Sequence, residues 1–479
     1  MTEFLRGNMG PLMFGGLIVF MLIGYPAAFS VAAVGLLFGF IGIELGLIEA
    51  NFLGNLTFQL FGIVANDQGT LLLAIPFFTF MGAILERSGL AEELLDSIGQ
   101  LFGPVRGGLS YAVIFVGAIL GAITGTVAAS VIAMAVIALP LMLRYGYATR
   151  HATGVIAASG TITQLIPPSL VLIVLADQLG RPVGEMYAGA IGPSLIQIAL
   201  FCLWVAIVSL IWPKDVPALP LEARAPRGWP LWAKCLRGII PSLGLMFLVL
   251  GTIFLGLATA TEAGAMGAVG ALLLAAFNRR LTWPLVYQAM ETTMRITAMV
   301  IYILIGARVF SLVFQGVGGK MWIEDLLTSL PGGVIGFLIF VNIFIFVIAF
   351  FLDFFEIAFI IVPLLAPVAA KLGIDLTWFG LMICANIQTS FMHPPFGFAL
   401  FYLRGVAPPT VRTIDIYWGA LPWVVLQVLL VAILIFWPQS VTYWIDRGPK
   451  IDPSRMQIEM PLPELPPLPP IELDRPTKG

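Results

Sequence analysis

The fold class that this sequence predicts is an all-α membrane protein of many spans, built from two inverted repeats that each carry a re-entrant hairpin and a broken transmembrane helix. Three observations lead there: an apolar composition, a set of short motifs that occurs twice in the same order, and a proline pair inside an apolar run in each half. Of 479 residues, 59% are hydrophobic and 10% charged, with mean hydropathy +1.01; soluble domains carry about a quarter charged residues. Apolar stretches recur at the roughly 17–25 residues that one helical crossing needs. They are continuous rather than alternating, which selects helices over a barrel. A net charge of −2 offers no field for nucleic acid. Cys202, Cys235 and Cys384 lie too far apart, and too far from His151 and His393, to suggest a disulfide framework or a metal site. The first apolar block, 11–48, is too long for a secretory h-region and reads as retained helices.

In the first half, 11–48 predicts two helices bent at Gly24-Tyr-Pro, 71–85 a third, 151–179 a broken one and 186–212 a fifth. Residues 110–143 stand apart, with the small, hydroxyl-bearing string Gly121-Ala-Ile-Thr-Gly-Thr-Val-Ala-Ala-Ser at their centre. Two half-length helices meeting there make a re-entrant hairpin, allowed where the tip is buried in protein; one long tilted helix is the alternative. A polar, proline-bearing linker over 214–237 separates the halves. The second half repeats the plan with spans at 238–257, 261–277 and 299–317, a second hairpin over 333–372, a second broken helix over 378–402 and a last span at 416–437. The domain division is therefore 1–213, the linker 214–237, 238–440, and a tail over 441–479 whose proline content predicts an extended or disordered segment.

Residue-level matches carry the repeat. Glu92-Glu-Leu-Leu recurs as Glu324-Asp-Leu-Leu, Leu139-Pro-Leu as Val362-Pro-Leu, Pro167-Pro168 as Pro394-Pro395, and Tyr187-Ala-Gly-Ala as Tyr417-Trp-Gly-Ala. An odd number of crossings per repeat turns the second upside down. Basic residues agree: with the linker in the cytoplasm, Arg87, Arg106, Arg144, Arg150, Arg404, Arg412 and others lie inside, and only Arg6, Arg181, Lys320, Lys371 and the tail lie outside.

Each proline pair removes two backbone donors and blocks the carbonyls one turn back, so helical hydrogen bonds are lost at mid-span. Freed carbonyls in lipid cost several kcal/mol each unless satisfied, and a sodium ion is one solution. Hydroxyl and amide groups cluster just upstream, in Ser159-Gly-Thr-Ile-Thr-Gln and Asn386-Ile-Gln-Thr-Ser. Neutral oxygens suit a hard cation, while small and hydroxyl residues in membrane helices also serve plain close packing. Asp353 and Glu356 lie deep in the second hairpin; they are candidates for cation or proton binding, or for capping a half-helix. Arg308, mid-span, is a candidate partner for one of these acids or for an anionic substrate, with pairing inside the protein the safer reading. His393 reads as a cap for freed carbonyls.

Gly160-Thr-Ile-Thr-Gln-Leu-Ile-Pro-Pro-Ser, Met186-Tyr-Ala-Gly-Ala-Ile-Gly-Pro, Phe351-Leu-Asp-Phe-Phe-Glu-Ile and Gln388-Thr-Ser-Phe-Met-His-Pro-Pro-Phe-Gly together closely resemble the large membrane subunit, DctM type, of tripartite ATP-independent periplasmic (TRAP) transporters. The resemblance runs over 11–437, and the second-hairpin string is most similar to the branch labelled mannitol/chloroaromatic, a label that fixes no substrate. It implies a fold of the ion-transporter superfamily type in the bacterial inner membrane, no enzyme activity, and no cofactor beyond sodium as coupling ion. It also implies import of a small carboxylate solute by an elevator motion, together with a periplasmic substrate-binding protein and a small four-helix membrane subunit, here expected as a separate chain. Carried over by position, one ion site would use Thr124, Gly125 and Thr126 with Gly160, Thr161, Thr163 and the carbonyls before Pro167 and Pro168. The second would use the tip around Asp353 and Glu356 with Asn386, Thr389 and Ser390 before Pro394 and Pro395. Phe354 and Phe355 depart from the small or hydroxyl residue usual after the Asp. A stand-alone sodium- or proton-coupled anion transporter is the alternative within transport; an intramembrane enzyme would need a partnered nucleophile or acid that the chain does not display.

Overall fold

The computed structural model describes residues 2–65, 72–124, 126–224 and 228–445. The predicted tail beyond residue 445 and the tip residue Gly125 lie outside the described residues. Those described form an all-helical bundle without strands, in which eight helices are long and apolar enough to cross a membrane.

After a short N-terminal helix over Thr2–Gly7 come α1 (Met9–Ile23) and α2 (Ala27–Glu44), separated at Gly24, whose φ of +88° turns the chain before Pro26. A short helix, α3 (Asn55–Ala65), precedes α4 (Ala74–Arg87). The sequence reading placed a single helix at 71–85 and missed α3, because its eleven residues fall short of a span and polar Asn55, Thr57 and Gln59 interrupt the apolar run. Next, α5 (Leu90–Phe102) is amphipathic and carries the Glu92-Glu-Leu-Leu motif. Its counterpart, α14 (Gly319–Thr328), carries Glu324-Asp-Leu-Leu and turns through 119° into the next helix. Both motifs thus mark a short helix standing just before a hairpin.

Residues 110–143 fold as the hairpin rather than the tilted helix: α6 (Gly108–Thr124) and α7 (Val127–Arg144) meet at the tip. Then α8 (Thr149–Thr161) passes through a 3-10 turn into the Pro167–Pro168 break, and Ser169 starts α9 (Leu170–Leu179) by accepting a hydrogen bond from the Val171 N–H at 3.2 Å. The long α10 (Val183–Ile211) closes this half. The second half runs α11 (Trp229–Phe254), α12 (Ala260–Phe277) and α13 (Trp283–Gly316). The expected span at 299–317 is only the latter part of α13, whose 34 residues extend about 51 Å at 1.5 Å each. Its polar beginning reaches past the apolar layer, where Gln288 accepts a 2.6 Å hydrogen bond from Arg87. Hairpin two is α15 (Gly333–Ile348) and α16 (Phe354–Lys371), the latter opening with a π turn ahead of Pro363. The second broken helix is α17 (Leu376–Ile387), a 3-10 turn, the Pro394–Pro395 break and α18 (Phe398–Val406), followed by α19 (Thr413–Phe436). Both proline–proline peptide bonds are cis.

Hydrogen bonds fix which way these pieces run. The linker straps the open end of hairpin one, with Gly107 N–H on Val216 O, Leu219 N–H on Gly103 O and Ala148 N–H on Asp215 O, all at 2.9 Å. Hairpin one, the start of α8 and the end of α10 therefore share one end of the bundle, the end rich in basic side chains. Hairpin two opens on the other end, where Lys371 meets Glu324 at 3.8 Å, Thr377 donates to Glu185 at 3.3 Å and the Trp378 indole N–H donates to Leu434 O at 2.9 Å. The broken helices run antiparallel, and their breaks meet near the middle.

Candidate functional site

Both breaks are built alike from their hydroxyl residues. Thr161 donates to Ala158 O at 2.8 Å and Thr163 to Gly160 O at 3.0 Å; Thr389 donates to Asn386 O at 2.7 Å and Ser390 to Ile387 O at 2.6 Å. All four side chains are buried. Their protons point back along their own helices, so the outward lone pairs are acceptors, the polarity that suits a cation. Not every carbonyl loosened by the prolines is bare, contrary to the sequence-based picture. The Ser194 hydroxyl of α10 shares its proton between Ala190 O at 2.7 Å and Leu165 O at 3.1 Å, and Tyr417 of α19 donates to Pro395 O at 3.4 Å. The protein itself satisfies part of what the breaks expose.

Each hairpin grips its own break differently. On α6, Gly117 and Gly121 lie against Ser159 and Thr163, so closely that a Cβ on Gly121 would sit 2.8 Å from Thr163 Cα. Gly160 lies beneath Val131 of α7, whose methyl would stand 2.2 Å from a Cβ there. At the second break an amide pair replaces this dry contact. Asn386 donates to the Asn342 carbonyl oxygen at 2.8 Å and to its side-chain oxygen at 2.9 Å, and Asn342 donates to Leu338 O at 2.8 Å.

At the tip of hairpin two both acids make capping contacts. Asp353 is the N-cap of α16, accepting from the Phe354 N–H at 2.6 Å, and Glu356 accepts from the Asp353 N–H at 2.9 Å. Such a reciprocal box ties down donors that a helix start leaves free. Arg308 acts electrostatically on Asp177, near the C-terminal end of α9, and is absent from the cavity that holds Asp353. His393 does not cap carbonyls through its ring: it is sandwiched between Phe346 and Phe350, with ring centroids at 4.3 and 4.2 Å, and neither ring nitrogen has a hydrogen-bond partner among the described residues.

A cavity of about 230 Å³ joins both hairpin tips to both breaks. Thr126 and Val127 reach it from hairpin one, Asp353 and Phe355 from hairpin two, Gln164 and Leu170 from the first break, and Phe391, Phe398 and Tyr402 from the second. Thus α7, α9, α16 and α18 all begin at its wall, and the partial positive charge of each helix start faces the space. Thr126 and Asp353 line it directly, whereas Thr161, Thr163, Asn386, Thr389, Ser390 and Glu356 stand behind the wall. The Thr124 side chain and all of Gly125 lie outside what the structure describes.

The sequence reading missed two glutamines, Gln197 and Gln427, that reach the clusters upstream of the breaks. Gln197 of α10 donates to Gln388 at 2.5 Å, and Gln427 of α19 donates to Thr161 at 2.8 Å. Gln197 and Gln427 each stand ten residues after the repeated tyrosine, and Gln388 and Thr161 each stand six residues before their first proline. Each repeat therefore braces the break of the other, by the same pair of positions. The spacing was present in the sequence, but nothing in it says that α10 crosses to the second break. Gln164 reaches the cavity with a buried amide oxygen that has no hydrogen-bond partner among the described residues.

Comparison with known proteins agrees with this architecture. The profile of the family described as "Tripartite ATP-independent periplasmic transporter, DctM component" matches residues 14–440. The C4-dicarboxylate TRAP transporter large permease protein DctM of Vibrio cholerae is 29% identical over 92% of this chain and 98% of its own length. The 2,3-diketo-L-gulonate TRAP transporter large permease protein YiaN of Escherichia coli is 27% identical over 77% and 85%, and the ectoine TRAP transporter large permease protein TeaC of Halomonas elongata 26% over 91% and 99%. The crystal structure of the Alcanivorax borkumensis YdaH transporter shares the fold, with TM-score 0.58 and 16% identity over 82% of this chain and 88% of that one. The chain belongs to the DctM family of TRAP transporter large permease subunits, multi-pass transport proteins of the bacterial inner membrane rather than enzymes.

Proposed function

We propose that this chain is the large permease of a sodium-coupled secondary transporter that imports a carboxylate-type solute. A periplasmic binding protein delivers the solute, and a separate small membrane subunit completes the complex. One observation carries the reading: four half-helix N-termini converge on one cavity at the meeting of two hairpins and two breaks. In a water-poor site such dipole ends favour an anionic group. No lysine or arginine lines that cavity among the described residues, so coupling cations would supply the balancing charge. The hydroxyl groups whose protons are turned inward are suited to hold them. One sodium would lie among Thr124, Gly125, Thr126, Thr161, Thr163 and the carbonyls before Pro167, the other among the Asp353 tip, Asn386, Thr389 and Ser390. Gly160 serves the first site by letting Val131 approach, and Glu356 serves the second by capping.

Alternating access follows from the antiparallel arrangement. The two halves read as inverted repeats, so the cavity is approached by one hairpin from each end. Hairpins and broken helices moving together against α2, α4, α12 and α13 would carry the cavity from one face to the other, an elevator motion. Uptake by proteoliposomes that hold this chain, its small subunit and the binding protein tests the reading. Uptake is expected with a sodium gradient and lost in choline. Equal uptake in choline at several pH values overturns the coupling, and uptake that needs neither partner points to a stand-alone carrier.

A further inference from the structure

We propose that the cleft between the start of α8, the end of α10 and the start of α19 is a headgroup site for a zwitterionic, amine-bearing membrane phospholipid. This cleft, of about 650 Å³, lies at the basic end of the bundle, away from the central cavity. Arg150 and Arg412 stand on it, both held by one carboxylate: Asp415 Oδ1 is 3.0 Å from Arg150 Nε, and Asp415 Oδ2 is 2.9 Å from Arg412 Nε. Asp415 is only 11% exposed, but the arginine side chains are 59% and 72% exposed, so the guanidinium edges turned away from it remain open. Two guanidinium groups fixed at one spacing suit a phosphodiester, which accepts planar, forked donors.

The second charge in the cleft sets the headgroup. Asp215 lines the same space, exposed, with its backbone anchored to the start of α8 through the Ala148 N–H. The lining therefore carries two positive and two negative side chains, Arg150 and Arg412 against Asp215 and Asp415, and gives no net pull to an anionic lipid. A headgroup with a phosphate for the arginines and an ammonium for Asp215 matches it. Trp204, Trp212 and Trp418 border the cleft, Trp212 and Trp418 about half exposed, as indoles do at the level of lipid headgroups. Leu203, Leu210, Leu421 and Val425, on the same two helices α10 and α19, are exposed apolar side chains that acyl chains would cover.

The test uses the full chain in detergent, with phosphatidylethanolamine or phosphatidylglycerol of matched acyl chains added at equal mole fraction. Phosphatidylethanolamine is expected to raise the unfolding temperature more than phosphatidylglycerol does. Asp215→Asn removes the difference, and Arg150→Gln with Arg412→Gln removes most of the shift by either lipid. Equal shifts in the unaltered chain, or a full shift in the double variant, overturn the proposal. Because that double variant risks misfolding, acyl-brominated versions of the two lipids provide a second measure through tryptophan quenching. The amine-bearing lipid is expected to quench more, with the quenched fraction falling in Trp418→Phe; equal quenching by both lipids overturns it.

Discussion

Gly121→Ala isolates the contact that holds hairpin one to the first break. The added Cβ would lie 2.8 Å from Thr163 Cα, 2.9 Å from its Cγ2 and 3.2 Å from its Cβ. Carbon atoms rest at about 3.5–4.0 Å, and the nearest obstacle is backbone, so hairpin and break must separate by roughly 1 Å. Overpacking of this kind costs about 1–3 kcal/mol, and the better helix propensity of alanine returns about 0.8–1.0 kcal/mol. The net loss of stability is about 0–2 kcal/mol, too little to unfold the bundle. The proposed sodium ligands lie on both sides of that contact, where a shift beyond about 0.5 Å spoils a binding constellation. The half-saturating sodium concentration for uptake is expected to rise about tenfold, equivalent to about 1.4 kcal/mol. Gly244→Ala is the control: a Cβ there meets nothing within 4 Å, so it gains propensity without strain. A sodium titration of Gly121→Ala that overlays that of Gly244→Ala would refute the reasoning.

Three further outcomes are expected. Gln427→Leu removes one interhelical hydrogen bond, on average about 0.6 kcal/mol in membrane proteins, and also an unpartnered buried amide oxygen worth about 1–3 kcal/mol of desolvation. Its unfolding temperature should hold or rise while uptake falls, and the reverse pattern would make the brace purely structural. Thr389→Ala should weaken the sodium dependence of uptake and Thr389→Ser preserve it, since serine can keep the hydroxyl donating to Asn386 O; equal titrations for both variants count against a ligand at this position. Arg308→Ala should lower the unfolding temperature, because the guanidinium favours the charged form of half-buried Asp177. Adding Asp177→Asn should recover part of that loss, and strict additivity of the two changes in thermal unfolding would show that they are uncoupled.

What could be read along the chain depended on rules that act over one or two turns. Apolar length set most of the spans, and the missing N–H groups of Pro167, Pro168, Pro394 and Pro395 set both breaks. The small string around Gly121 suggested the hairpin, and the motif order suggested the repeat. The local reading failed where length and apolarity diverge, as in α3, which is too short, and in the polar start of α13. It also left Asp353 and Glu356 between two roles, because a capping box and an ion site call for the same residues at the same spacing.

Contacts between distant parts of the chain belonged to the tertiary structure alone. Gln427 meets Thr161 across 266 positions and Gln197 meets Gln388 across 191; Arg308 acts electrostatically on Asp177, 131 positions away; and four helix starts share one cavity. A proline acts on its neighbours whatever surrounds it, so its effect is written where it stands. A glutamine side chain has no such local consequence: its partner depends on which helices cross and at what depth, and side-chain packing of the whole bundle decides that.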